Sequence, residues 1–448
     1  SQRIVVGEEL APVPLRRGGT EVNGAVALGD LNGDGRTDLV VGHPTRSRVA
    51  NFAGGVLVYY GRPDGRFATP DLVLEGEREN DRLGVGLTIQ DVDGDGVDDL
   101  VAASPTRDLG RDSRGAVSVH LGSRMGLVVE PERTFAGEAL NDQFGNGVVL
   151  RDLDGDGAQD MLVVAPNASN PFATTACRGA GRVFVYHGVR GARGLFTTVP
   201  WQVVELRDRL SDTDGPPECR AASDAGKGLA LFDLDGDGRD DLVVGAPGTA
   251  TTNFGSVLVY RRAAAMDMLP FATTPSWVIH PEMSLRTTGS RFGGGLDVVP
   301  TGPASAPAPV LVVRAPTLVQ NSTQTGGFFV FGSRRVPAPL TNGDVRVVMS
   351  DTATARFIGG ANEGVGRSGL VLDLDGDGAP EYLVGGASGS TLDGAVHLFP
   401  ARALAGTGAL TATATARGMG REFLGLAMAG RAGSGGLPGA LAVLAGFQ

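Results

Sequence analysis

Short apolar runs separated by Gly, Pro and Asp recur along the whole chain. One unit opens with a Gly-containing run such as L-G-V-G-L-T-I-Q-D, continues through an acidic, Gly-rich stretch, and proceeds into D-L-V-V-G-A-P or a close relative. A third run of the form G-x-V-x-V-Y and a fourth, such as P-D-L-V-L-E-G, complete the unit. The runs are short, rich in β-branched residues and bounded by turn residues, which is typical of strands. No long segment has helical periodicity, so we predict an all-β protein.

The repeat length indicates a β-propeller. The acidic stretch begins at residues 30, 91, 152, 233 and 373, so its first four copies lie 61, 61 and 81 residues apart. Four strands in each unit of about 60 residues describe a propeller blade. Two further units lack the acidic stretch: one spans residues 291–332, and the other ends at Gln448 after only two runs.

The two ends of the chain predict how the ring closes. R-I-V-V-G and A-P-V-P-L-R-R near the N-terminus match the third and fourth runs of a unit. We therefore predict one domain, residues 1–448, forming a seven-bladed β-propeller of four-stranded blades, the last blade closed by two N-terminal and two C-terminal strands. An open array of six blades with the terminal pieces outside it is the alternative. The predicted blades span 24–76, 83–137, 144–206, 226–281, 292–350, 365–416, and 423–448 completed by 1–16.

The acidic stretches have the ligand spacing of a calcium loop. Side-chain oxygens occupy positions one, three, five and nine, and a backbone carbonyl is expected at position seven. Hard oxygen ligands at alternate positions of a flexible loop suit Ca²⁺. Position 12, which is Glu in helical calcium motifs, is apolar here and lies inside the next strand. The alternative is a set of Asp- and Gly-rich turns without metal. The predicted ligands are Asp30, Asn32, Asp34, Arg36 and Asp38; Asp91, Asp93, Asp95, Val97 and Asp99; Asp152, Asp154, Asp156, Ala158 and Asp160; Asp233, Asp235, Asp237, Arg239 and Asp241; and Asp373, Asp375, Asp377, Ala379 and Glu381.

The charge distribution supports bound cations. The net charge is −11, and 19 acidic side chains lie at the ligand positions, so the acidity of the protein resides in these loops. About five Ca²⁺ ions would nearly neutralise the chain. The sequence has no cluster of basic residues that would indicate nucleic-acid binding. No apolar run reaches the roughly 20 residues of a membrane helix. We expect a monomer, although the sequence leaves the oligomeric state open.

Three motifs together resemble a known repeat family. Phe144-Gly145 and Phe292-Gly293 provide F-G, Gly245-Ala246-Pro247 provides G-A-P, and D-x-D-x-D-G-x-x-D lies between them. This combination resembles the FG-GAP repeat, best known from the β-propeller heads of integrin α subunits. The resemblance implies calcium loops that join the first and second strands of a blade on its lower face. In the other units the aromatic residue is replaced, as by Leu83, Ala225, Val365 and Leu424.

The resemblance implies an extracellular, calcium-binding module for cell adhesion or protein–protein interaction, and not an enzyme. We expect a protein, cell-surface or matrix ligand on the face opposite the calcium loops. A glycan-binding propeller is the alternative, although 2 Trp and 5 Tyr offer few stacking platforms. A secreted hydrolase is a further alternative, but G-x-S-x-G and H-E-x-x-H are absent and the five histidines are scattered. One charged group that we expect on the binding face consists of Arg107, Asp108, Arg111 and Asp112. The alternative for each of them is a solvated loop residue without a binding role.

The two cysteines indicate in which cellular compartment the protein is found. Cys177 and Cys219 fall in the longest inserts, which the resemblance places on the upper face of neighbouring units. We predict that they form a disulfide, with two free buried thiols as the alternative. A disulfide would favour an extracellular, cell-surface or periplasmic location. Tyr60, His120 and His187 lie in the third runs, where we expect them to fill a half-exposed sheet.

Overall fold

A computed structural model shows, among the residues it describes, six blades of four or five strands and three two-stranded sheets. It describes the chain outside residues 1–24, 64–66, 68, 108–112, 169–180, 190–194, 207–221, 224–225, 227, 250–253, 264–268, 286–288, 303–307, 321–322, 334–344, 373–378, 388–393, 418–421, 432–439 and 448.

Blades one to three are antiparallel sheets whose strands follow chain order. Blade one contains β1 (Val26–Gly29), β2 (Asp38–Gly42), β3 (Gly55–Tyr59) and β4 (Leu72–Glu75). Blade two contains β5 (Gly86–Gln90), β6 (Asp99–Ser104), β7 (Ala116–His120) and β8 (Arg133–Ala136). Blade three contains β9 (Gly147–Arg151), β10 (Asp160–Ala165), β11 (Arg182–Tyr186) and β12 (Gln202–Glu205).

Blades four to six keep this order, and two of them gain an outer fifth strand. Blade four contains β14 (Leu229–Phe232), β15 (Asp241–Ala246), β17 (Ser256–Tyr260), β18 (Trp277–His280) and β24 (Arg346–Met349). Blade five contains β19 (Gly295–Pro300), β20 (Pro309–Arg314), β23 (Gly327–Gly332), β25 (Ala355–Ile358) and β29 (Gly408–Ala409). Blade six contains β26 (Val365–Leu372), β27 (Glu381–Ala387), β28 (Gly394–Pro400) and β30 (Ala414–Arg417).

The fifth strands differ from the predicted blade boundaries. Arg346–Met349 lies inside the predicted fifth blade but pairs in parallel with Trp277–His280 of blade four. The fourth strand of blade five is instead Ala355–Ile358, beyond the predicted boundary at residue 350. An apolar run can pair with any open strand edge that it reaches, and its pattern does not specify which one.

The described residues form six complete blades and not the seven that we predicted. The predicted seventh blade is represented by the antiparallel hairpin of β31 (Glu422–Arg431) and β32 (Ala440–Phe447). The strand β31 lies beside β1 of blade one and β26 of blade six. The N-terminal strands predicted to complete this blade fall within residues 1–24, outside the described residues.

Minor elements lie in the connections. Two short hairpins pair β13 (Ala222–Ser223) with β16 (Gly248–Thr249) and β21 (Val319–Gln320) with β22 (Thr323–Gln324). The described helices are α1 (Ala401–Leu404) and the 3-10 turns Met283–Leu285 and Ser350–Thr352. None of these described helices has the length and apolar character needed to cross a membrane.

Apolar cores between neighbouring blades hold the fold together. Every residue of the second strands β6, β10 and β15 is buried, because both faces of each strand are covered by other blades. This explains the continuous apolar run D-L-V-V-G-A, where a half-exposed strand would alternate. Outer strands such as β8 do alternate. A separate core fills each of the five interfaces from blades one and two to blades five and six.

Glycines of the repeat motif permit close contact between blades. A Cβ atom on Gly245, from G-A-P in blade four, would lie 2.0 Å from the carbonyl oxygen of Gly293, from F-G in blade five. Gly42 and Gly84 meet in the same way between blades one and two. Any side chain at these positions would push the backbones of adjacent blades apart. The motif residues therefore set the blade spacing.

Candidate metal centres in the acidic loops

Four acidic loops are described, and each joins the first and second strands of blades one to four. In loop two, the carboxylate of Asp91 accepts hydrogen bonds from the N–H groups of Gly94 at 2.7 Å and Gly96 at 2.9 Å. Asp93 accepts from the N–H of Asp95 at 3.0 Å, and Asp95 accepts from that of Val97 at 2.8 Å. Loops three and four repeat these contacts. The loop therefore curls around its own carboxylates.

The glycines at positions four and six allow this curl. Gly94 and Gly96 have φ angles of +81° and +87°, a region that residues with a Cβ rarely adopt. A Cβ at either position would meet nothing within 4 Å, so backbone conformation and not space selects glycine.

The carboxylate at position nine ties the loop to the third strand. Asp99 is buried; its Oδ2 accepts from the N–H of Val92 and its Oδ1 from the N–H of Gly122, both at 2.8 Å. Asp38, Asp160 and Asp241 are buried in the same way, with equivalent pairs of N–H donors. One carboxylate thus links the start of the loop, the second strand and the end of the third strand.

Carboxylates from three positions converge in each of loops two, three and four. One ligand atom from each of positions one, three and nine lies within 4.8 Å of the others; the groups are Asp91, Asp93 and Asp99; Asp152, Asp154 and Asp160; and Asp233, Asp235 and Asp241. Loop one has Asn32 at position three, which is also an oxygen donor. An all-oxygen, multiply charged ligand set fits a hard cation such as Ca²⁺.

The electrostatics of the ninth position also fit a cation. Burial, which outweighs the backbone hydrogen bonds, raises the pKa of Asp99 and Asp241 to about 7, and the other carboxylates of the same loops contribute to the rise. The same causes raise the pKa of Asp38 to about 6. Burial likewise raises the pKa of Asp160. An ionised carboxylate at this position is therefore unfavourable unless a positive charge lies nearby.

Basic residues approach some of these loops and were not identified from the sequence as part of the sites. His187 Nε2 lies 2.8 Å from Asp154 Oδ2, so this side chain contacts a predicted ligand and does more than fill the sheet. Burial lowers the pKa of His187, but the carboxylates of Asp154 and Asp160 outweigh it and raise that pKa overall. In loop four, Arg261 Nε lies 2.6 Å from Asp235 Oδ2. Aligning the residues that follow each third run would have pointed to both.

A further residue links two neighbouring loops. Asp98 Oδ2 accepts a hydrogen bond from the N–H of Asp30 at 2.7 Å, and the N–H of Asp98 donates to the carbonyl of Asp30 at 3.0 Å. Position eight is not a ligand position, so the spacing of the motif gave no reason to select it.

The other predicted residues have different outcomes. Asp373, Asp375 and Asp377 lie outside the described residues, while Ala379 and Glu381 lead into β27. The position-seven residues Arg36, Val97, Ala158 and Arg239 lie at the ends of their loops, where each N–H donates to the carboxylate at position five.

The predictions for the opposite face are largely outside the described chain. Cys177, Cys219, Asp108, Arg111 and Asp112 all lie outside the described residues. Arg107 forms an ion pair with Glu77 at 2.9 Å, between blades two and one. Of the third-run residues, His120 is buried and contacts Ser118 at 3.0 Å, while Tyr60 is half-buried and its hydroxyl accepts from the N–H of Leu127.

The fold and the loops define a β-propeller with repeated acidic loops. Residues 30–102 match the FG-GAP-like repeat family, and residues 225–260 match the FG-GAP repeat family. The chain thus carries FG-GAP repeats and forms a β-propeller similar to that of integrin α subunits, which confirms the resemblance.

Relatives with known names match parts of the chain. Integrin alpha-5 of Xenopus laevis is 32% identical over 244 residues, which cover 53% of this chain and 20% of that protein. Phosphatidylinositol-glycan-specific phospholipase D of Mus musculus is 32% identical over 186 residues, covering 39% of this chain and 22% of that protein. The chain therefore matches only about a fifth of the length of these relatives.

A solved structure, rhamnogalacturonan lyase PL11 of Bacillus licheniformis, is also similar. It covers 85% of this chain and 56% of its own at 15% identity, with a TM-score of 0.36. A score this low supports no argument about activity.

Proposed function

We propose that the protein is an extracellular, calcium-stabilised β-propeller that serves as an adhesion or protein–protein interaction module. The observation that carries the calcium role is the convergence of carboxylates from positions one, three and nine within 4.8 Å in three loops. The buried Asp at position nine then has a cation to offset its charge. The bound ion would brace the hairpin of each blade and leave the opposite face free for a partner.

The proposed ions number about five, one in each acidic loop. In each described loop the ion is held by side chains at positions one, three, five and nine and by the carbonyl at position seven. The loop beginning at Asp373 has the same ligand types, with Glu381 at position nine. These ions would offset much of the acidity of the protein, because its net charge is −11.

The scattered positions of the histidines favour a binding role over a catalytic one. The histidines are spread over separate blades: His43 in blade one, His120 in two, His187 in three, His280 in four and His397 in six. Every proposed ion is surrounded by protein ligands, which leaves little room for a substrate. We therefore propose that the protein is not an enzyme and that it binds neither nucleic acid nor a membrane interior.

The aromatic residues disfavour the glycan-binding alternative. Five of the seven Trp and Tyr residues are buried, namely Trp277, Tyr59, Tyr186, Tyr260 and Tyr382, and the other two, Tyr60 and Trp201, are half-buried. Glycan sites usually rely on exposed aromatic faces for stacking. We therefore propose a protein, cell-surface or matrix ligand.

The proposed architecture is one domain with a seventh blade between blades six and one. The hairpin of β31 and β32 lies beside both. The face of blade one that turns away from blade two is covered, since Leu39, Leu57 and Tyr59 are at most 3% exposed. N-terminal strands from residues 1–16 would complete this blade and remove an open edge. A Cys177–Cys219 disulfide and an extracellular, cell-surface or periplasmic location remain part of the proposal.

Metal counting on the dialysed protein, with thermal unfolding in millimolar Ca²⁺ and in excess chelator, tests the calcium role. We expect about five ions per chain and a large rise in Tm with Ca²⁺, because ligands that bind only the folded state stabilise it. Asp93→Ala should lose one ion. No bound metal and no change in Tm would contradict the calcium role.

Binding to arrays of matrix proteins and of glycans, in Ca²⁺ and in chelator, then tests the ligand class; binding to glycans alone would overturn the protein-interaction role.

A further inference from the structure

In each of blades one to four, one structurally equivalent residue follows the third strand beside the acidic loop. It directly precedes the residue whose N–H donates to the carboxylate at position nine; those donors are Gly61, Gly122, Gly188 and Arg262. The residue before the donor differs in each blade: it is Tyr60, Leu121, His187 and Arg261 in blades one to four.

Two of these side chains form no ion pair or hydrogen bond with the carboxylates of their loop. Leu121 packs against the apolar core between blades two and three. Tyr60 accepts a hydrogen bond from the N–H of Leu127 at 2.8 Å, so its hydroxyl is directed to blade two. Within the described part of the chain, no basic side chain forms an ion pair with Asp91, Asp93, Asp95 or Asp99 of loop two.

The other two side chains contact metal-ligand positions directly. His187 makes one contact, its Nε2 lying 2.8 Å from Asp154 Oδ2. Arg261 makes two, with Nε 2.6 Å from Asp235 Oδ2 and Nη2 3.1 Å from Asp237 Oδ2. The side chains of Asp235 and Asp237 are 10% and 18% exposed, whereas that of Arg261 is 41% exposed.

Loop four also has a basic residue at position seven. Arg239 Nη2 lies 2.7 Å from Asp237 Oδ2. Loop one has the same feature, with Arg36 Nη2 2.6 Å from Asp34 Oδ2, but it lacks an equivalent of Arg261. Loop one therefore has an arginine at position seven without an arginine after the third strand, although its position three is Asn32 where loop four has Asp235.

We propose that the residue after the third strand sets how readily each loop takes Ca²⁺, and that Arg261 makes loop four the weakest of the described sites. The inference rests on the proposed calcium role. An incoming ion at loop four must displace the guanidinium group from two ligands, whereas loop two offers its four carboxylates without an internal counter-ion. Charge-assisted hydrogen bonds are the stronger kind, so this displacement lowers the affinity. The Arg261 side chain is 41% exposed and can turn to solvent, so loop four binds Ca²⁺ weakly and is not blocked. The four loops would then fill in sequence as the Ca²⁺ concentration rises.

The test is site-resolved hydrogen exchange during a Ca²⁺ titration of the whole protein. Peptides over residues 91–99 and 233–241 report loops two and four separately. In the wild type we expect the midpoint of loop four at a Ca²⁺ concentration about tenfold higher than that of loop two. A tenfold difference in affinity corresponds to the net contribution of roughly one charge-assisted hydrogen bond. Arg261→Leu, which copies Leu121 of blade two, should lower the midpoint of loop four by about tenfold and leave loop two unchanged.

Two further variants keep the interpretation unambiguous. Arg261→Gln retains much of the side-chain length without the charge and should act like Arg261→Leu, whereas Arg36→Val should change only loop one. A Ca²⁺ response in all loops with no shift in either Arg261 variant overturns this inference alone. No response in any loop overturns the proposed calcium role, and this inference with it.

Discussion

The first four strands of blade five pair antiparallel in the same order as the four strands of blade two, but the connections between the first two strands differ. In blade two the connection is an acidic loop, and Asp99 links it to the third strand through two backbone N–H groups. In blade five the connection closes with backbone pairing between Thr301 and Ala308 and carries no acidic motif. The four ordered strands of blade five show that the apolar runs alone suffice for a blade. The acidic loop adds a candidate ion site and a link to the third strand.

The difference has an energetic consequence. Burial, reinforced by the neighbouring carboxylates of Asp93 and Asp91, raises the pKa of Asp99 to about 7. The first hairpin of blade five carries Asp297, but this carboxylate is paired with Arg314, whose Nε lies 2.8 Å from Asp297 Oδ2. Blades with acidic loops should therefore depend on Ca²⁺, and blade five should not.

Calcium removal should produce the largest contrast between the two blades. At 100 times Kd, each occupied loop adds about 2.7 kcal/mol to the free energy of unfolding, so the four described loops would add about 11 kcal/mol. Hydrogen exchange should show faster exchange in chelator for β5 and β6, and much less change for β19 and β20. Equal loss of protection in both blades would mean that the ions stabilise the ring as a whole.

Substitution of the ninth-position carboxylate should have the next largest effect. Asp99→Asn removes a charged ligand and one of two N–H acceptors, so we expect a loss of about 3 kcal/mol in saturating Ca²⁺. The loss should be smaller in chelator, because the unfavourable buried charge is also removed. Denaturant unfolding in both buffers measures this, with Thr301→Val of blade five as the matched control expected to cost about 0.5 kcal/mol or less. An equal cost for Asp99→Asn in the two buffers would refute the metal role of this residue.

The pH dependence in chelator should follow from the same carboxylates. The pKa values of Asp38, Asp99 and Asp241 in the folded protein, about 6, 7 and 7, lie above the ordinary value of 3.8. The folded state therefore binds more protons than the unfolded state between about pH 4 and 7, and its stability falls as pH rises across this window. Asp99 alone should lose about 2 kcal/mol of stabilisation between pH 5 and 7 in chelator. Saturating Ca²⁺ should abolish or reverse the trend because it holds these groups ionised; the same decline in both buffers would contradict this account.

Substitution at the F-G position should have the smallest effect on stability, and there blades two and five differ only in side-chain packing. Blade five has Phe292, fully buried with its ring 5.4 Å from that of Phe329, where blade two has Leu83. Phe292→Leu should cost about 1 kcal/mol, in Ca²⁺ and in chelator alike, because it changes packing and not the ion sites. Thermal unfolding measures the change, with Met125→Leu at a 99% exposed position as a neutral control. A cost that depends on Ca²⁺ would show that this packing is coupled to the loops.

Much of the fold was predictable because its determinants are local in sequence. The buried second strands read as continuous apolar runs, and the acidic loops follow the first strand of each of the first four blades. Ligand spacing and the glycines at positions four and six lie within nine residues, so the candidate sites were predictable as well. The resemblance to FG-GAP repeats followed from the same short motifs.

The sequence by itself therefore determined the all-β repeat, the position of each described acidic loop and its candidate ligands. Only the tertiary structure decided which distant groups meet these loops. Gly122 lies 23 residues from Asp99, and Arg261 lies 26 from Asp235, so their contacts depend on how the third strand registers against the loop. Likewise, Arg346–Met349 joined blade four because an open edge was within reach. Short-range patterns encode strands and turns, whereas partners across strands are selected by the packing of the whole ring.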